Sequence, residues 1–147
     1  MYNMKPEWIA TGIAAPGVMI ASDGMPYAPL AHPRTAGTFS RVLGKYVREE
    51  KVIDLNTAIE KMTLLPAKRL EVIAPMMRFK GRIQIGADAD ITIFNPNTVI
   101  DKATFEKGLT FSEGIEYVIM NGIIVLKNGK TVSNVFPGQP VYGKFKK

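Results

Sequence analysis

The 147-residue chain contains no cysteine and a single histidine, His32. Without cysteine there is no disulfide, no thiolate zinc site and no cysteine nucleophile, a composition compatible with a cytoplasmic protein. One histidine cannot build a zinc site, which ordinarily takes about three or four protein ligands. No apolar run reaches the ~18 residues of a membrane span, so no membrane partner is expected. The nearest is WIATGIAAPGVMIA behind Lys5, where Gly12, Pro16 and Gly17 interrupt the run and no clear cleavage site follows. That argues against an export segment. There is also no phosphate loop, no dinucleotide-binding glycine fingerprint and no G-x-S-x-G nucleophile elbow. Internal repeats and low-complexity stretches are missing as well.

Hydrophobic residues make up 46% of the chain and charged residues 22%, a globular composition that can form a core. Net charge is +6, but the basic residues are interspersed: Lys45, Arg48 and Lys51 share a helix with Glu49 and Glu50. The one basic cluster is the tail Lys144, Lys146 and Lys147. A solvated surface and a frayed tail explain this charge without a nucleic-acid face, and no aromatic-basic pattern accompanies it.

Val18 to Ala21 reads as a short buried strand, apolar at every position and therefore covered on both faces, as in a parallel sheet. Pro26, Pro29, Pro33 and Gly37 make Met25 to Gly37 a long loop, of a size that usually serves a function. Thr38 is expected to cap a helix carrying Phe39, Val42, Leu43, Tyr46 and Val47. Asp54 caps a second, with Leu55, Ala58, Ile59 and Met62 on one face. Pro66 sits in the first turn of a third, which carries Leu70 and Ile73. Beyond Pro75 the period changes. Ile83, Ile85, Ala87, Ala89, Ile91 and Ile93 alternate as in a strand. Asn121-Gly122 and Asn128-Gly129 divide IEYVIMNGIIVLKNGKTV into hairpins, because both central residues of a type I′ turn need positive φ. Residues 76–147 therefore read as a small antiparallel sheet unit packed on a helical first half, with a boundary near Ala74 to Lys80. The eight methionines and Tyr117 are read as core filling.

Asp23 ends the apolar run GVMIASDGMP. At the carboxyl end of a strand an acid can act as a general base on a metal-bound water, then return the proton to a leaving group. It can equally cap the turn at Gly24. In AHPRTAGTF, Arg34 offers a planar fork for a carboxylate or serves as an ordinary surface arginine. His32 is either a ligand or proton shuttle, or structural beside Pro33. Asp88 and Asp90 in GADAD invite a metal reading, but a turn and a strand-edge polar position account for them better.

The order of these stretches resembles a known family. SDG at 22–24, HPR at 32–34 and GTFSRVLGKYVRE at 37–49 resemble the D-aminoacylase branch of the amidohydrolase superfamily, the N-acyl-D-amino-acid deacylases. AIEKMTLLPAKRL at 58–70, GRIQIGADADITIFNP at 81–96 and the IEYVIMNGIIVLKNGK hairpin are similar to its later segments, and the resemblance spans about residues 17 to 138. It implies an α/β plus β fold. Residues 1–75 would be the last strand and helices of a (β/α)₈ barrel, and residues 76–147 part of a small antiparallel β-sandwich made from both chain ends. It implies Asp23 as the catalytic aspartate beside the zinc site, Arg34 as the group that binds the substrate α-carboxylate, and His32 and Pro33 as motif neighbours without a ligand role. The family's H-x-H pair, bridging cysteine and further histidines have no counterpart here, and a (β/α)₈ barrel needs ~250 residues. The resemblance thus implies a C-terminal piece of a zinc-dependent hydrolase of linear amides. The piece alone would bind no zinc and be inactive, with an N-acyl amino acid as the substrate of the whole. The alternative is a non-catalytic fragment or subunit serving folding or association, as a homo-oligomer or with the missing barrel portion.

Overall fold

The computed structural model describes residues 4–25 and 31–144. Pro26 and Pro29 of the expected loop, and Lys146 and Lys147 of the basic tail, lie outside the described residues. Four helices precede a four-stranded antiparallel sheet of order β1-β2-β3-β4. The helices are α1 (Pro6–Ala14), α2 (Arg34–Arg41), α3 (Leu55–Met62) and α4 (Leu64–Glu71). The strands are β1 (Ile91–Phe94), β2 (Ile115–Met120), β3 (Ile123–Lys127) and β4 (Lys130–Thr131). A 3₁₀ turn, Pro75–Phe79, joins the helical and sheet portions.

Three local expectations hold for local reasons. The Asp54 carboxylate accepts from the Thr57 hydroxyl and, at 3.0 Å, from the Thr57 N–H, capping α3, and these bonds hold it below the usual carboxylate pKa. Asn121, Gly122, Asn128 and Gly129 all have φ between +48° and +77°, as two type I′ hairpin turns require. Pro66 lies in the first turn of α4.

Four expectations fail. Val18 to Ala21 pairs with no strand, and Val18 and Met19 are exposed. The main-chain hydrogen bond from this run to a distant element is Ile20 N–H to the Lys61 carbonyl, 3.0 Å. A strand needs a neighbour, and among the described residues it has none. The helix expected from Thr38 starts earlier, at Arg34. Pro33 (φ −51°) is already helical, Thr35 and Gly37 donate to the His32 and Pro33 carbonyls, and the Thr38 hydroxyl bonds back to the Arg34 carbonyl inside the helix. The alternating run 83–93 is a strand only from Ile91. Gly81 and Gly86 adopt positive φ and turn the chain, leaving Ile83 and Ile85 fully in solvent. Finally, Met19, Met25, Met76 and Met120 are exposed rather than core, as are Leu70 and Ile73 of the α4 region.

Past Arg41 the helix widens into a π-helix, Val42–Glu49, visible in the Glu50 N–H bond to the Lys45 carbonyl five residues back. Its buried face (Val42, Leu43, Tyr46) packs with Ala58 of α3 and fully buried Val99, and Phe94 and Ile115 of the sheet close over this cluster. Arg48 donates to the Val99 and Pro96 carbonyls and pairs with Glu49, while Lys45 pairs with Glu50. The core is small. Of the eight buried apolar residues described, four are alanine (Ala31, Ala58, Ala67 and Ala74).

Lys80 clamps the turn that leads into β1. Its ammonium lies 2.9 Å from Asp88 and 2.5 Å from Asp90, whose other oxygen accepts the Asn121 N–H. The hydrogen bond to Asp90 raises the Lys80 pKa, against the pull of burial. Burial works against the Asp90 charge, but Lys80 and the Asn121 N–H outweigh it and hold its pKa below the usual value. A depressed carboxyl stabilises above its unfolded pKa and loses that contribution as pH falls through the folded value. A raised ammonium does the reverse at the alkaline end. Asp90→Asn should therefore cost about 1 kcal/mol between roughly pH 5 and 9, the upper end for partly exposed pairs, and nothing in strong acid. Melting temperatures of the two proteins across pH should converge below about pH 3. A gap that stays constant into acid would refute the account.

Candidate active-site segment

Asp23 has φ +48°, a left-handed conformation that aspartate tolerates better than most residues. The turn it makes brings the chain against the start of α2. A Cβ on Gly24 would stand 2.8 Å from Thr35 Cα, so the approach depends on glycine there. The Gly24 N–H bonds the Ser22 hydroxyl and the Met25 N–H bonds the Thr35 hydroxyl.

The structure brings Asp23 and Arg34 together. Arg34 Nη2 is 2.9 Å from Asp23 Oδ2, and Arg34 Nε donates to the Asp23 main-chain carbonyl at 3.0 Å. One guanidinium thus reads both the side chain and the backbone of the aspartate. Their side chains are 45% and 82% exposed, so the pair contributes at most about 1 kcal/mol and is easily exchanged. A competing carboxylate can take the fork without dismantling the fold.

His32 stands apart from the pair. Its Nδ1 accepts the Arg34 N–H at 3.1 Å, and its ring meets Phe105 edge-on at 5.0 Å. With Nδ1 an acceptor, the neutral ring carries its proton on Nε2. Asp88 and Asp90 are both engaged by Lys80 and lie in a structural clamp. No three His, Cys, Asp or Glu side chains converge among the described residues, so this donor set does not fit a zinc ion by itself. No described helix is long and apolar enough to cross a membrane.

Two features escaped the sequence. The loop from Asp101 to Ser112 braces the back of α2. Asp101 pairs with Arg41 at 3.1 Å, Ser112 donates to the Ala36 carbonyl, Phe105 meets His32, and Gly108 lies against the Ala31 carbonyl. Burial works against the Arg41 charge, but Asp101 and Tyr46 more than compensate and raise its pKa. The second feature is Lys61, buried at the end of α3. Nothing in local sequence marks the loop; a lysine three residues after fully buried Ala58 is the only hint of the other.

The amidohydrolase family model matches residues 7–126. The chain is 44% identical to the D-aminoacylase of Alcaligenes xylosoxydans xylosoxydans over 123 residues, 83% of this chain and 24% of that protein. It is 43% identical to the N-acyl-D-glutamate deacylase of the same organism over 107 residues, 73% of this chain and 21% of that protein. Among solved structures, the N-acyl-D-glutamate deacylase of Bordetella bronchiseptica, complexed with zinc and a phosphonate mimic of the tetrahedral intermediate, superposes with a TM-score of 0.83. The identity there is 36%, covering 94% of this chain and 28% of that one. The chain thus spans about a quarter of the length of the relatives it matches.

Proposed function

Because the chain belongs to the amidohydrolase family, we propose that it is the C-terminal portion of an N-acyl-D-amino-acid deacylase. Such an enzyme hydrolyses the amide of an N-acyl-D-amino acid to a D-amino acid and a carboxylate. In this reading residues 1–75 complete a (β/α)₈ barrel and residues 76–147 contribute to a β-sandwich. The barrel's absent strands are the neighbours that Val18 to Ala21 lacks. Zinc would be held by residues outside this chain. Asp23 takes a proton from the attacking water and delivers it to the departing amine, and Arg34 binds the α-carboxylate. One observation carries the reading: the acid and the carboxylate-binding fork are joined at 2.9 Å in a chain at least 43% identical to two deacylases over most of its length.

The test is amine release from N-acetyl-D-amino acids, with L-isomers as controls, by the chain alone and by a longer polypeptide that extends its reading frame upstream. The chain alone should be inactive and the longer protein active. A longer protein that releases no D-amino acid from any N-acyl substrate overturns the proposal. In the longer protein Arg34→Met should raise KM roughly 10–100-fold, the worth of a charge-assisted hydrogen bond, with kcat changed less than about threefold. Equal KM values for the two proteins would remove Arg34 from the carboxylate site.

A second reading, a non-catalytic piece that serves association, is favoured by the thin core and by Ile83, Ile85 and Phe136, each at least 90% exposed. It predicts self-association of the isolated chain by light scattering. A strictly monomeric, cooperatively melting chain would argue against it.

A further inference from the structure

Lys61 is 3% exposed, and no carboxylate pairs with it among the described residues. A buried cation without a counter-ion is costly unless other groups solvate it. Here carbonyls do. Its ammonium donates to the Ala15 carbonyl at 2.5 Å and to the Val18 carbonyl at 3.2 Å. Ala15 is the C-cap of α1 and Lys61 lies in the last turn of α3, so the charge sits at the negative ends of two helices. The same residue's main-chain carbonyl accepts the Ile20 N–H at 3.0 Å. Three hydrogen bonds from one residue thus fix the chain from Ala15 to Ile20, three residues before Asp23. Further along, the anchors are the Arg34 fork and the Thr35 hydroxyl on Asp23 and Met25.

We propose that Lys61 is a positioning residue for Asp23: its clamp on Ala15, Val18 and Ile20 sets the path of the segment and thereby presents the Asp23 carboxylate and carbonyl to Arg34. This role deepens the deacylase reading and rests on it for its catalytic meaning, but the geometry is testable without turnover. The clamp substitutes for sheet pairing that the segment does not have among the described residues.

The experiment is ¹⁵N NMR on the 147-residue chain, comparing wild type with Lys61→Met and Lys61→Arg. Lys61→Met should speed exchange of the Ile20 amide at least about tenfold and move the Arg34 Nε–H resonance, whose acceptor is the Asp23 main-chain carbonyl, away from its wild-type position. Val118 and Leu126 amides, paired with each other in the β2–β3 hairpin rather than with Lys61 or its partners, should stay put. Lys61→Arg, which keeps the charge and can still donate to two carbonyls, should restore most of both signals. If Lys61→Met disturbs Ile20 while the Arg34 Nε–H resonance does not move, Lys61 only packs and the proposal fails. If Lys61→Met loses the hairpin signals as well, Lys61→Arg decides. Its altered fork must shift the Ile20 and Arg34 resonances together, and independent behaviour overturns the inference. Failure of the deacylase reading would show up separately, as a longer protein without turnover whose Lys61–Asp23–Arg34 coupling is intact.

Discussion

Asp23→Asn in the proposed longer deacylase is expected to lower kcat by about 10²–10⁴-fold while KM changes less than about threefold, the signature of a lost proton-transfer group. Asparagine is the informative replacement here. Asp23 has φ +48°, which asparagine accepts and alanine resists, so the turn at Gly24 survives the exchange. The Arg34 Nε bond goes to the Asp23 main-chain carbonyl and is untouched. Only the Nη2–Oδ2 contact loses its charge, and that contact is too exposed to govern stability. What asparagine cannot do is take a proton from water and hand it to an amine. Losing the anion also frees the Arg34 fork from an internal competitor, so KM for a carboxylate substrate should hold or fall. Arg34→Met shifts KM in the opposite sense. Glu116→Gln, an acid-to-amide change on the exposed side of β2, is the control for charge alone. A loss of less than about tenfold for Asp23→Asn, against an unchanged control, would remove Asp23 from the proton-transfer role.

The elements legible from sequence are those whose cause is local. Asn121-Gly122 and Asn128-Gly129 specify their turns because few residues accept two successive positive φ values, and the hairpins follow. Asp54 caps α3 through a residue three positions away. The run Val18 to Ala21 failed because β structure is a property of pairs, and apolarity alone supplies no partner. Ile83 and Ile85 failed in the same way: alternation marks a segment able to enter a sheet, but Gly81 and Gly86 bend it away from β1.

The site follows the same division. Asp23 and Arg34 stand out singly by residue type and by the turn and loop around them. Their ion pair is tertiary, made by a left-handed residue and a helix that begins five residues earlier than a cap at Thr38 suggests. Burial of Lys61 is tertiary too, since a lysine inside a helix ordinarily reads as solvated. Its cost is met by carbonyls of α1 and the following turn, about 43–46 residues away in sequence. No window of local sequence contains that information.

Gly108→Ala is expected to lower the melting temperature by roughly 6–12 °C, corresponding to about 3 kcal/mol in a domain of this size, the upper end of overpacking costs. A methyl group at this position would overlap the Ala31 carbonyl oxygen and stand 2.5 Å from the Ala31 carbonyl carbon. Both sides of the clash are backbone, so no rotamer change relieves it. Either the Asp101–Ser112 loop lifts off α2 or Ala31 moves, and Ala31 leads directly into His32, Pro33 and Arg34. Lifting the loop would break the Phe105–His32 contact and the Ser112 bond to Ala36, and strain the Arg41–Asp101 pair. Gly12→Ala is the matched contrast. It lies inside α1 with nothing within 4 Å of the added methyl, so the gain in helix propensity should stabilise the chain by about 0.4–1 kcal/mol. Calorimetry on the two variants separates the effects, because the same chemical change is expected to act with opposite sign. If Gly108→Ala melts within about 2 °C of the parent, the loop yields freely and cannot be the brace that holds Arg34 against Asp23.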